Sequence, residues 1–345
     1  MRSPRDFFRP LAIGAPDPVR VIEPIASRMI HFFDPSNPRM VAKMPAIAPT
    51  VDVLLGNLED AIEIDRKEDA RHGLIEFARS TDLGATSLWV RVNALDSPWI
   101  LDDLTEIITE VGNRIDVIML PKIEGAEDIH YADRVIAQLE ARAGLKRPIL
   151  IHAILETARG VANVEEICIA SPRLQGVSLG PADLAADREM KTTNVGGGHP
   201  GYLVRADPED RAYDAPRATA QQDLWHYTVA RMVDACRLAG IQPYYGPFGD
   251  IDDVIACEDQ FRNAYIMGCV GAWSLHPKQI EIARKVFTPD AAQVAWAQRV
   301  VDTLTGGSGA FMVDGKMQDD ASYKQCLKIL RYADLVGERD ARAHG

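Results

Sequence analysis

Two carboxylates stand at the ends of apolar segments and form the first candidate for a reactive site. Glu156 follows Ile149–Leu155, and Asp183 follows Leu174–Leu179 after the turn Gly180-Pro181-Ala182. A buried charge without a partner is costly, and two carboxylates that share a site repel each other unless a cation neutralises them. Oxygen ligands of this kind suit Mg²⁺, and Mn²⁺ can substitute for it. The pair therefore predicts a magnesium site, although either acid alone could instead cap the next helix.

Other polar residues follow neighbouring apolar segments, namely Glu59-Asp60, Arg91 and Lys122. Glu59 and Asp60 are candidate catalytic residues that support the metal ligands. The Arg91 guanidinium can fork onto a substrate carboxylate or carbonyl, or it can form a structural ion pair with the acids. Lys122 offers a different mechanism, because a lysine can form a Schiff base with a carbonyl substrate. The nearby carboxylates favour the metal mechanism, since they would hold the lysine protonated.

The elements that must position these residues are short apolar segments alternating with stretches of helical periodicity. The segments are Met29–Phe33, Val51–Leu58, Ser87–Val92, Ile115–Leu120, Ile149–Leu155, Leu174–Leu179, Ile241–Tyr245 and Val270–Leu275. Eight alternations in about 280 residues match a (β/α)₈ TIM barrel. A doubly wound open sheet is the alternative, but no glycine-rich dinucleotide turn follows an early strand. In such a barrel the active site lies at the carboxyl ends of the strands, where the polar residues stand.

Helices are predicted between these strands, among them Asp102–Val111 and Gln222–Leu238, the second of which ends at Gly240. The predicted barrel domain spans residues 1–289. It contains a long polar insertion, residues 187–221, whose Gly196-Gly197-Gly198-His199-Pro200 is interpreted as a flexible loop or a phosphate contact. Residues 290–345 form a predicted lid or interaction segment with a hinge-like break at Gly306–Gly309.

Composition limits the possible partners and location of the protein. The formal net charge is −12 over 345 residues, which argues against a general nucleic-acid binder. The five cysteines are scattered and form no CxxC pair, which is typical of reduced thiols. No apolar run of 18 residues occurs, and Met1–Pro10 lacks the apolar core of a signal peptide. We therefore expect a cytoplasmic protein without a membrane partner.

Seven segments together resemble the malyl-CoA lyase group of the HpcH/HpaI aldolase–citrate lyase β-subunit superfamily. They occur in the family's order, between about residues 11 and 335. The segments are Asn57-Leu58-Glu59-Asp60-Ala61, Trp89-Val90-Arg91-Val92-Asn93, Leu120-Pro121-Lys122-Ile123-Glu124, Ile154-Leu155-Glu156-Thr157, Ser178-Leu179-Gly180-Pro181-Ala182-Asp183-Leu184, Leu275-His276-Pro277-Lys278-Gln279 and Gly315-Lys316-Met317-Gln318-Asp319. The resemblance is closest to the branch that acts on malyl-CoA, β-methylmalyl-CoA and citramalyl-CoA.

The resemblance implies roles for several residues. Glu156 and Asp183 would bind Mg²⁺, and Arg91 would hold the 2-oxo acid. Asp319 would be the catalytic acid/base, delivered by the C-terminal segment of a neighbouring subunit in a homo-oligomer, which is expected to be a hexamer. If Asp320 carried this role instead, the alignment of the C-terminal segment would be wrong by one residue.

The resemblance also implies a site for the coenzyme A thioester and its acyl group. Phe32 and Lys43 match positions that contact coenzyme A, and Gly180-Pro181-Ala182 and Trp273 are assigned to the substrate site. The chain departs from the family pattern at Asn37, where an arginine is expected. Arg39 is the candidate substitute for that arginine.

The implied reaction is a reversible Claisen-type cleavage of malyl-CoA to acetyl-CoA and glyoxylate. The β-methyl analogue would give propionyl-CoA and glyoxylate, and citramalyl-CoA would give acetyl-CoA and pyruvate. Two alternatives remain at this stage. One is a coenzyme A-independent, metal-dependent 2-keto acid aldolase with the same Glu/Asp site, and the other is a non-catalytic barrel that binds acyl-CoA.

Overall fold

The computed structural model of this protein describes residues 14–206, 217–304 and 309–344. Met1–Pro10 and all of the predicted hinge except Gly309 lie outside these residues. The described strands, in chain order, are β1 (Met29–Phe33), β2 (Val53–Asn57), β3 (Ser87–Arg91), β4 (Val117–Leu120), β5 (Leu150–Leu155), β6 (Leu174–Leu179), β7 (Leu203–Arg205), β8 (Thr219–Gln221), β9 (Gln242–Tyr244), β10 (Ala272–Ser274), β11 (Phe311–Val313) and β12 (Lys316–Gln318).

Eight parallel strands form one sheet in the order β10-β1-β2-β3-β4-β5-β6-β9. The two outer strands of this order also meet, because Tyr245 N–H donates to Gly271 O and Val270 N–H donates to Pro243 O, both at 2.9 Å. The sheet is therefore closed, and the predicted TIM barrel is confirmed. All eight predicted segments contain a barrel strand, and β1 and β6 have the predicted bounds.

The helices lie between the strands. They are α1 (Pro38–Val41), α2 (Met44–Ile47), α3 (Lys67–Ser80), α4 (Ile100–Val111), α5 (Ala126–Ala143), α6 (Ala158–Ala162), α7 (Val164–Cys168), α8 (Pro181–Asp187), α9 (His226–Ala239), α10 (Val254–Met267), α11 (Pro277–Val286), α12 (Ala291–Thr303) and α13 (Asp320–His344). Short 3₁₀ turns occupy Ala48–Thr50, Ile64–Arg66 and Gly112–Arg114. Within the described ranges, no helix is long and apolar enough to cross a membrane.

The observed ends of α9 and α4 agree only in part with the ends predicted from the sequence. Gly240 adopts the left-handed conformation, with φ +75°, and ends α9 as predicted. The predicted start of this helix at Gln222 is wrong, because α9 begins at His226. The side chain of Asp223 accepts a hydrogen bond from Trp225 N–H at 2.8 Å, and this local turn competes with helix. Helix α4 begins two residues before the predicted Asp102.

Side chains that alternate along each strand divide the core into two layers. The inward-facing layer fills the barrel and comprises Ile30, Val53, Leu55, Trp89, Val117, Met119, Ile154, Tyr244 and Trp273. The outward-facing layer packs against the helices and forms the larger cluster. Because successive strand residues point to opposite faces, an inward residue near the strand end faces the barrel mouth. Glu156 continues the inward series of His152 and Ile154.

The insertion, residues 187–221, packs against the barrel in the part that the structure describes. Strands β7 and β8 form an antiparallel hairpin whose tip, residues 207–216, lies outside the described residues. Gly196 and Gly197 are buried with φ values of +73° and +71°. Gly197 N–H donates to Tyr245 Oη at 3.1 Å, and Gly197 O accepts from Trp225 Nε1 at 3.0 Å. The interpretation of these two glycines as a flexible loop is therefore wrong, because they dock the insertion onto the barrel. The phosphate contact stays a prediction.

The C-terminal segment packs as a small unit beside the barrel. Helices α12 and α13 and the β11–β12 hairpin bury a cluster around Ala297, Val300, Val313 and Cys326. The end of α13 is fixed to the amino-terminal side of the barrel by buried charges. Asp52 pairs with Arg28 at 2.9 Å and with Arg339 at 3.0 Å.

Replacing Asp52 with alanine tests this anchor. The change removes the buried counter-ion of Arg28 and Arg339 and leaves them only the partly exposed Asp340, which lies 2.6 Å from Arg28 and 3.6 Å from Arg339. We therefore expect the free energy of unfolding to fall by about 1–3 kcal/mol. Urea denaturation followed by circular dichroism measures the difference. Glu338→Ala, which removes an exposed pair with Arg342 on the same helix, is the control and should change stability by less than about 0.5 kcal/mol. Equal effects of the two substitutions would contradict the assignment.

Candidate functional site

A cavity of about 430 Å³ opens at the carboxyl ends of the barrel strands. Its walls come from the ends of β1, β2, β3, β5, β6 and β10 and from the loops that follow them. The lining residues are Phe32, Phe33, Asp34, Met40, Asn57, Asp60, Ala61, Ile62, Arg91, Glu156, Gly180, Pro181, Ala182, Asp183, Pro247, Trp273 and Leu275. Most of the residues predicted for the site thus meet in one place, as the barrel geometry requires.

Glu156 is the most buried charged group of the cavity, with 2% of its surface exposed. Burial raises the pKa of Glu156 to about 8, although the charges of Arg91 and Lys122 oppose the shift, while Asp183 and Glu59 add to it. Gly180 lies directly against this carboxylate, and a Cβ atom there would stand 2.6 Å from Glu156 Oε2. Only glycine leaves room for the carboxylate in this position.

Lys122 stands between the acids of the mouth. Its backbone has φ +53°, an unfavourable value for a residue with a side chain, and its N–H donates to Glu156 Oε1 at 2.7 Å. Its ammonium group binds Glu59 Oε1 at 2.5 Å and Asp60 Oδ2 at 2.9 Å, and lies 3.7 Å from Asp183 Oδ1. Burial lowers the pKa of Lys122, but the hydrogen bonds to Glu59 and Asp60 and the charge of Glu156 outweigh it and raise the pKa above its usual value. A protonated lysine is a poor Schiff-base nucleophile, which argues against that mechanism.

The same interaction acts on Asp60. Burial raises its pKa, but the hydrogen bond and charge of Lys122 outweigh burial, so the pKa of Asp60 lies below its usual value. Glu59 and Asp60 therefore surround the ammonium group as charge partners. The loop that carries them is fixed by Lys67, whose Nζ donates to Leu58 O at 3.0 Å and to Glu59 O at 2.9 Å. Sequence reasoning missed this role for Lys67, because it depends on a loop conformation that brings Leu58 O and Glu59 O to its ammonium group.

The Arg91 guanidinium has two polar and two aromatic neighbours. Its Nε donates to Asn57 Oδ1 at 2.7 Å, and its Nη1 pairs with Glu59 Oε2 at 3.2 Å. The guanidinium carbon lies 5.4 Å from the centre of the Phe32 ring and 6.0 Å from that of Trp273. The structural ion pair considered from the sequence is thus present. Arg91 nevertheless also lines the cavity, where its charge can meet an anionic group.

Glu156 and Asp183 are the residues that could hold a divalent cation. Both border the cavity, and their charges interact, since Asp183 raises the pKa of Glu156. A buried carboxylate next to a second one is stabilised by a cation, and oxygen donors suit Mg²⁺. The residues present fit the ion as a pair. No group of three or more possible ligands forms within residues 14–206, 217–304 and 309–344.

Four of the residues assigned to the site do not line this cavity, and one of them, Glu59, is buried beside it. Arg39 and Lys43 are exposed and flank Met40, which does line it. Asn37, the position of the expected arginine, caps α1 by accepting from Arg39 N–H at 3.1 Å. Asp319 is exposed before α13, where its Oδ1 accepts from Ser322 N–H at 2.9 Å. This hydrogen bond and a second one, from the Ser322 hydroxyl at 3.0 Å, lower the pKa of Asp319.

The barrel and its mouth define a class of protein, a TIM barrel whose cavity brings carboxylates together beside a fixed arginine. Residues 28–277 match the profile of the HpcH/HpaI aldolase/citrate lyase family. The chain belongs to this family, which confirms the resemblance seen in the sequence.

Within this family, the chain is similar to lyases that are named for malyl-CoA and related thioesters. The malyl-CoA/β-methylmalyl-CoA/citramalyl-CoA lyase of Chloroflexus aurantiacus is 57% identical over 99% of this chain and 98% of its own length. The L-malyl-CoA/β-methylmalyl-CoA lyase of Cereibacter sphaeroides is 37% identical, over 91% and 96%. Among solved structures, the citrate lyase β subunit of M. tuberculosis, complexed with oxaloacetate and magnesium, is 25% identical. It covers 76% of this chain and 98% of its own, with a TM-score of 0.57.

Acid is expected to destabilise the barrel through His152, an inward-facing residue of β5 with no exposed surface. Burial lowers the pKa of His152 to about 3. Between this value and about 6.5 only the unfolded chain binds the extra proton, so the free energy of unfolding should fall as the pH drops, by at most about 1.4 kcal/mol per pH unit. Urea titrations from pH 7 to 4 should give a shallower slope for His152→Gln. Exposed His130→Gln is the control, and an equal slope in His152→Gln and the unmodified protein would contradict this assignment.

Proposed function

We propose that this protein is a Mg²⁺-dependent lyase that cleaves malyl-CoA to acetyl-CoA and glyoxylate. It also acts on β-methylmalyl-CoA and on citramalyl-CoA, which yields acetyl-CoA and pyruvate. The observation that carries the proposal is the mouth itself, where buried Glu156 and nearby Asp183 lie beside a fixed Arg91. The near full-length similarity to a lyase named for these three substrates supports the choice of substrate class.

Glu156 and Asp183 hold the cation in this proposal. The magnesium in the structure of the citrate lyase β subunit supports the presence of such a cation in a related protein. When bound, Mg²⁺ acts as a Lewis acid on the oxygen of the 2-oxo acid. Lys122 keeps the remaining carboxylates neutralised, because its ammonium group contacts Glu59 and Asp60. The acids at the mouth can therefore stay ionised around one cation.

Arg91 binds the carboxylate of the 2-oxo acid and offsets negative charge that develops on its oxygen. Its hydrogen bond to Asn57 and its pair with Glu59 fix the guanidinium before substrate arrives. A preorganised donor of this kind stabilises developing charge without reorganising during the reaction. Phe32 and Trp273 form the apolar wall beside it, at ring centroids 4.6 Å apart.

Cleavage of the bond between the carbinol carbon and the thioester α-carbon leaves an electron pair on the α-carbon, which must gain a proton. The substrate hydroxyl gives its proton to solvent as it becomes the oxo group, so the reaction is balanced in protons. Asp319 is the proposed acid/base for this carbon. It is exposed in its own chain and does not line that chain's cavity, which supports delivery to a neighbouring subunit. The protein is accordingly a homo-oligomer in this proposal, a hexamer whose residues 290–345 close a neighbour's barrel of residues 1–289. Closure excludes water from the reactive enolate.

The coenzyme A portion lies along the outer edge of the cavity. Exposed Arg39 and Lys43 stand on either side of Met40 and offer positive charge to its phosphates. Phe32 contacts the coenzyme A portion in this proposal, and the Gly180-Pro181-Ala182 turn lies at the acyl end. A metabolic enzyme with free, buried cysteines in its described residues also suits the cytoplasm, which we propose as its location.

A substrate panel with purified protein tests the proposal. We expect cleavage of all three thioesters, loss of activity in EDTA, and recovery with Mg²⁺ or Mn²⁺. Released glyoxylate or pyruvate is measured as its phenylhydrazone. Activity only on free hydroxy-keto acids would show the coenzyme A-independent aldolase, and binding without turnover would show a non-catalytic barrel. Borohydride trapping of substrate on Lys122 would overturn the metal mechanism.

Mixed oligomers test the delivery of Asp319. Asp319→Asn removes the proposed acid/base and Glu156→Gln removes a proposed metal ligand, so each homo-oligomer should lose at least about 100-fold in kcat. Co-expression of the two variants with different tags should restore activity, because some sites then combine an intact barrel with an intact neighbouring segment. Asp320→Asn alone is the control and should remain active. Absence of restored activity in purified mixed oligomers would place Asp319 in its own subunit's site.

A further inference from the structure

A chain of hydrogen bonds crosses the apolar interior of the barrel and ends at the substrate cavity. Gln175 Nε2 lies 2.5 Å from His152 Nδ1, and His152 Nε2 lies 2.7 Å from Ser178 Oγ. Trp273 Nε1 donates to the same Ser178 Oγ at 2.9 Å. Gln175, His152, Ser178 and Trp273 are all buried, with exposures from 0% to 5%. A polar group in a barrel core costs free energy unless it is hydrogen-bonded. Removing one member of this series would therefore leave its neighbour without a partner.

The position of His152 is set by packing as well as by hydrogen bonds. Its ring lies 5.2 Å from the ring of Trp89 and 5.2 Å from that of Tyr244. Burial keeps the ring neutral, because it lowers the pKa of His152 to about 3. An indole nitrogen can only donate, so Ser178 Oγ must accept from Trp273. Ser178 is then oriented by its second contact, the one to His152.

Trp273 is the member of the chain that reaches the site. Its ring lines the cavity, lies 4.6 Å from the Phe32 ring, and faces the Arg91 guanidinium at 6.0 Å. Rotation of the indole would remove one of the two aromatic faces that hold this guanidinium. The anchor against such rotation is the bond from Trp273 Nε1 to Ser178.

We propose that Ser178 and His152 are positioning residues for the 2-oxo acid site, and that they act through Trp273 on Arg91. They touch neither substrate nor metal ligands in this proposal. It rests on the proposed function, because Arg91 is taken to bind the carboxylate of the 2-oxo acid. Loss of the anchor should weaken binding of the oxo acid and leave binding of the acyl-CoA unchanged.

Condensation of acetyl-CoA with glyoxylate separates these two effects. Ser178→Ala removes the acceptor of the indole N–H, so we expect KM for glyoxylate to rise about tenfold, the loss of one hydrogen bond, with KM for acetyl-CoA and kcat within about twofold. Trp273→Phe removes the donor instead. Adding Ser178→Ala to Trp273→Phe should then have no further effect on KM for glyoxylate. Equal effects of Ser178→Ala in the two backgrounds would overturn the proposal, because Ser178 would not act through the indole.

His152 is tested by a conservative pair of variants. His152→Phe retains a ring but cannot form a hydrogen bond with Ser178, and it should raise KM for glyoxylate as Ser178→Ala does. His152→Gln, whose amide reaches toward the place of Nε2, should restore KM to within about threefold of the unmodified protein. Equal KM values for the two variants would remove His152 from the proposal.

A matched control separates positioning from stability. Ser171 is also buried, and its hydroxyl donates to Asp133 at 2.8 Å in the outer layer of the barrel. Ser171→Ala should lower thermal stability without changing KM for glyoxylate. A KM shift in Ser171→Ala as large as that in Ser178→Ala would show a general effect and overturn the proposal. No turnover by the unmodified protein would instead refute the proposed function.

Discussion

Charge balance at the barrel mouth is the constraint on which the rest of the site depends. Four carboxylates, those of Glu59, Asp60, Glu156 and Asp183, share one end of the barrel with Arg91 and Lys122. Burial alone would protonate Glu156, and the pKa of about 8 reflects that cost. The two fixed cations partly offset it, and a divalent ion between Glu156 and Asp183 would offset the remainder. Gly180 leaves room for the Glu156 carboxylate, and the positive φ of Lys122 accompanies the hydrogen bond of its N–H to the same carboxylate.

The barrel supplies this arrangement through a simple periodicity. Residues two apart on a strand share a face, so the series His152, Ile154 and Glu156 passes from core to mouth along one line of β5. The same inward series on β3 places Trp89 in the core and Arg91 in the site. A polar group can therefore be linked to the mouth through the core, as the contacts of His152 with Ser178 and of Ser178 with Trp273 illustrate.

The two ends of the last helix differ in their surroundings. Its carboxyl-terminal part is fixed beside the amino-terminal side of the barrel by Arg28, Asp52 and Arg339, and Tyr332 Oη donates to Val270 O at 3.2 Å. Its beginning, at Asp319, is exposed. An element of 25 residues spans about 37 Å as an α-helix, enough to carry its first residue far from the anchored end. The start of this helix packs against α12 and the β11–β12 hairpin through Cys326, and exposed Asp319 lies outside the cavity of its own chain.

The sequence by itself determined the barrel and most members of the site. Eight apolar segments set the strands, because burial on both faces demands continuous apolar runs. The positions at the ends of these segments or just after them identified Arg91, Glu156 and Asp183. Tertiary structure alone decided the rest. It showed that Lys122 neutralises acids from three loops, that the glycines of the insertion dock against Tyr245 and Trp225, and that α9 starts late. Each of these depends on contacts between residues distant in sequence, whose energies local periodicity does not encode.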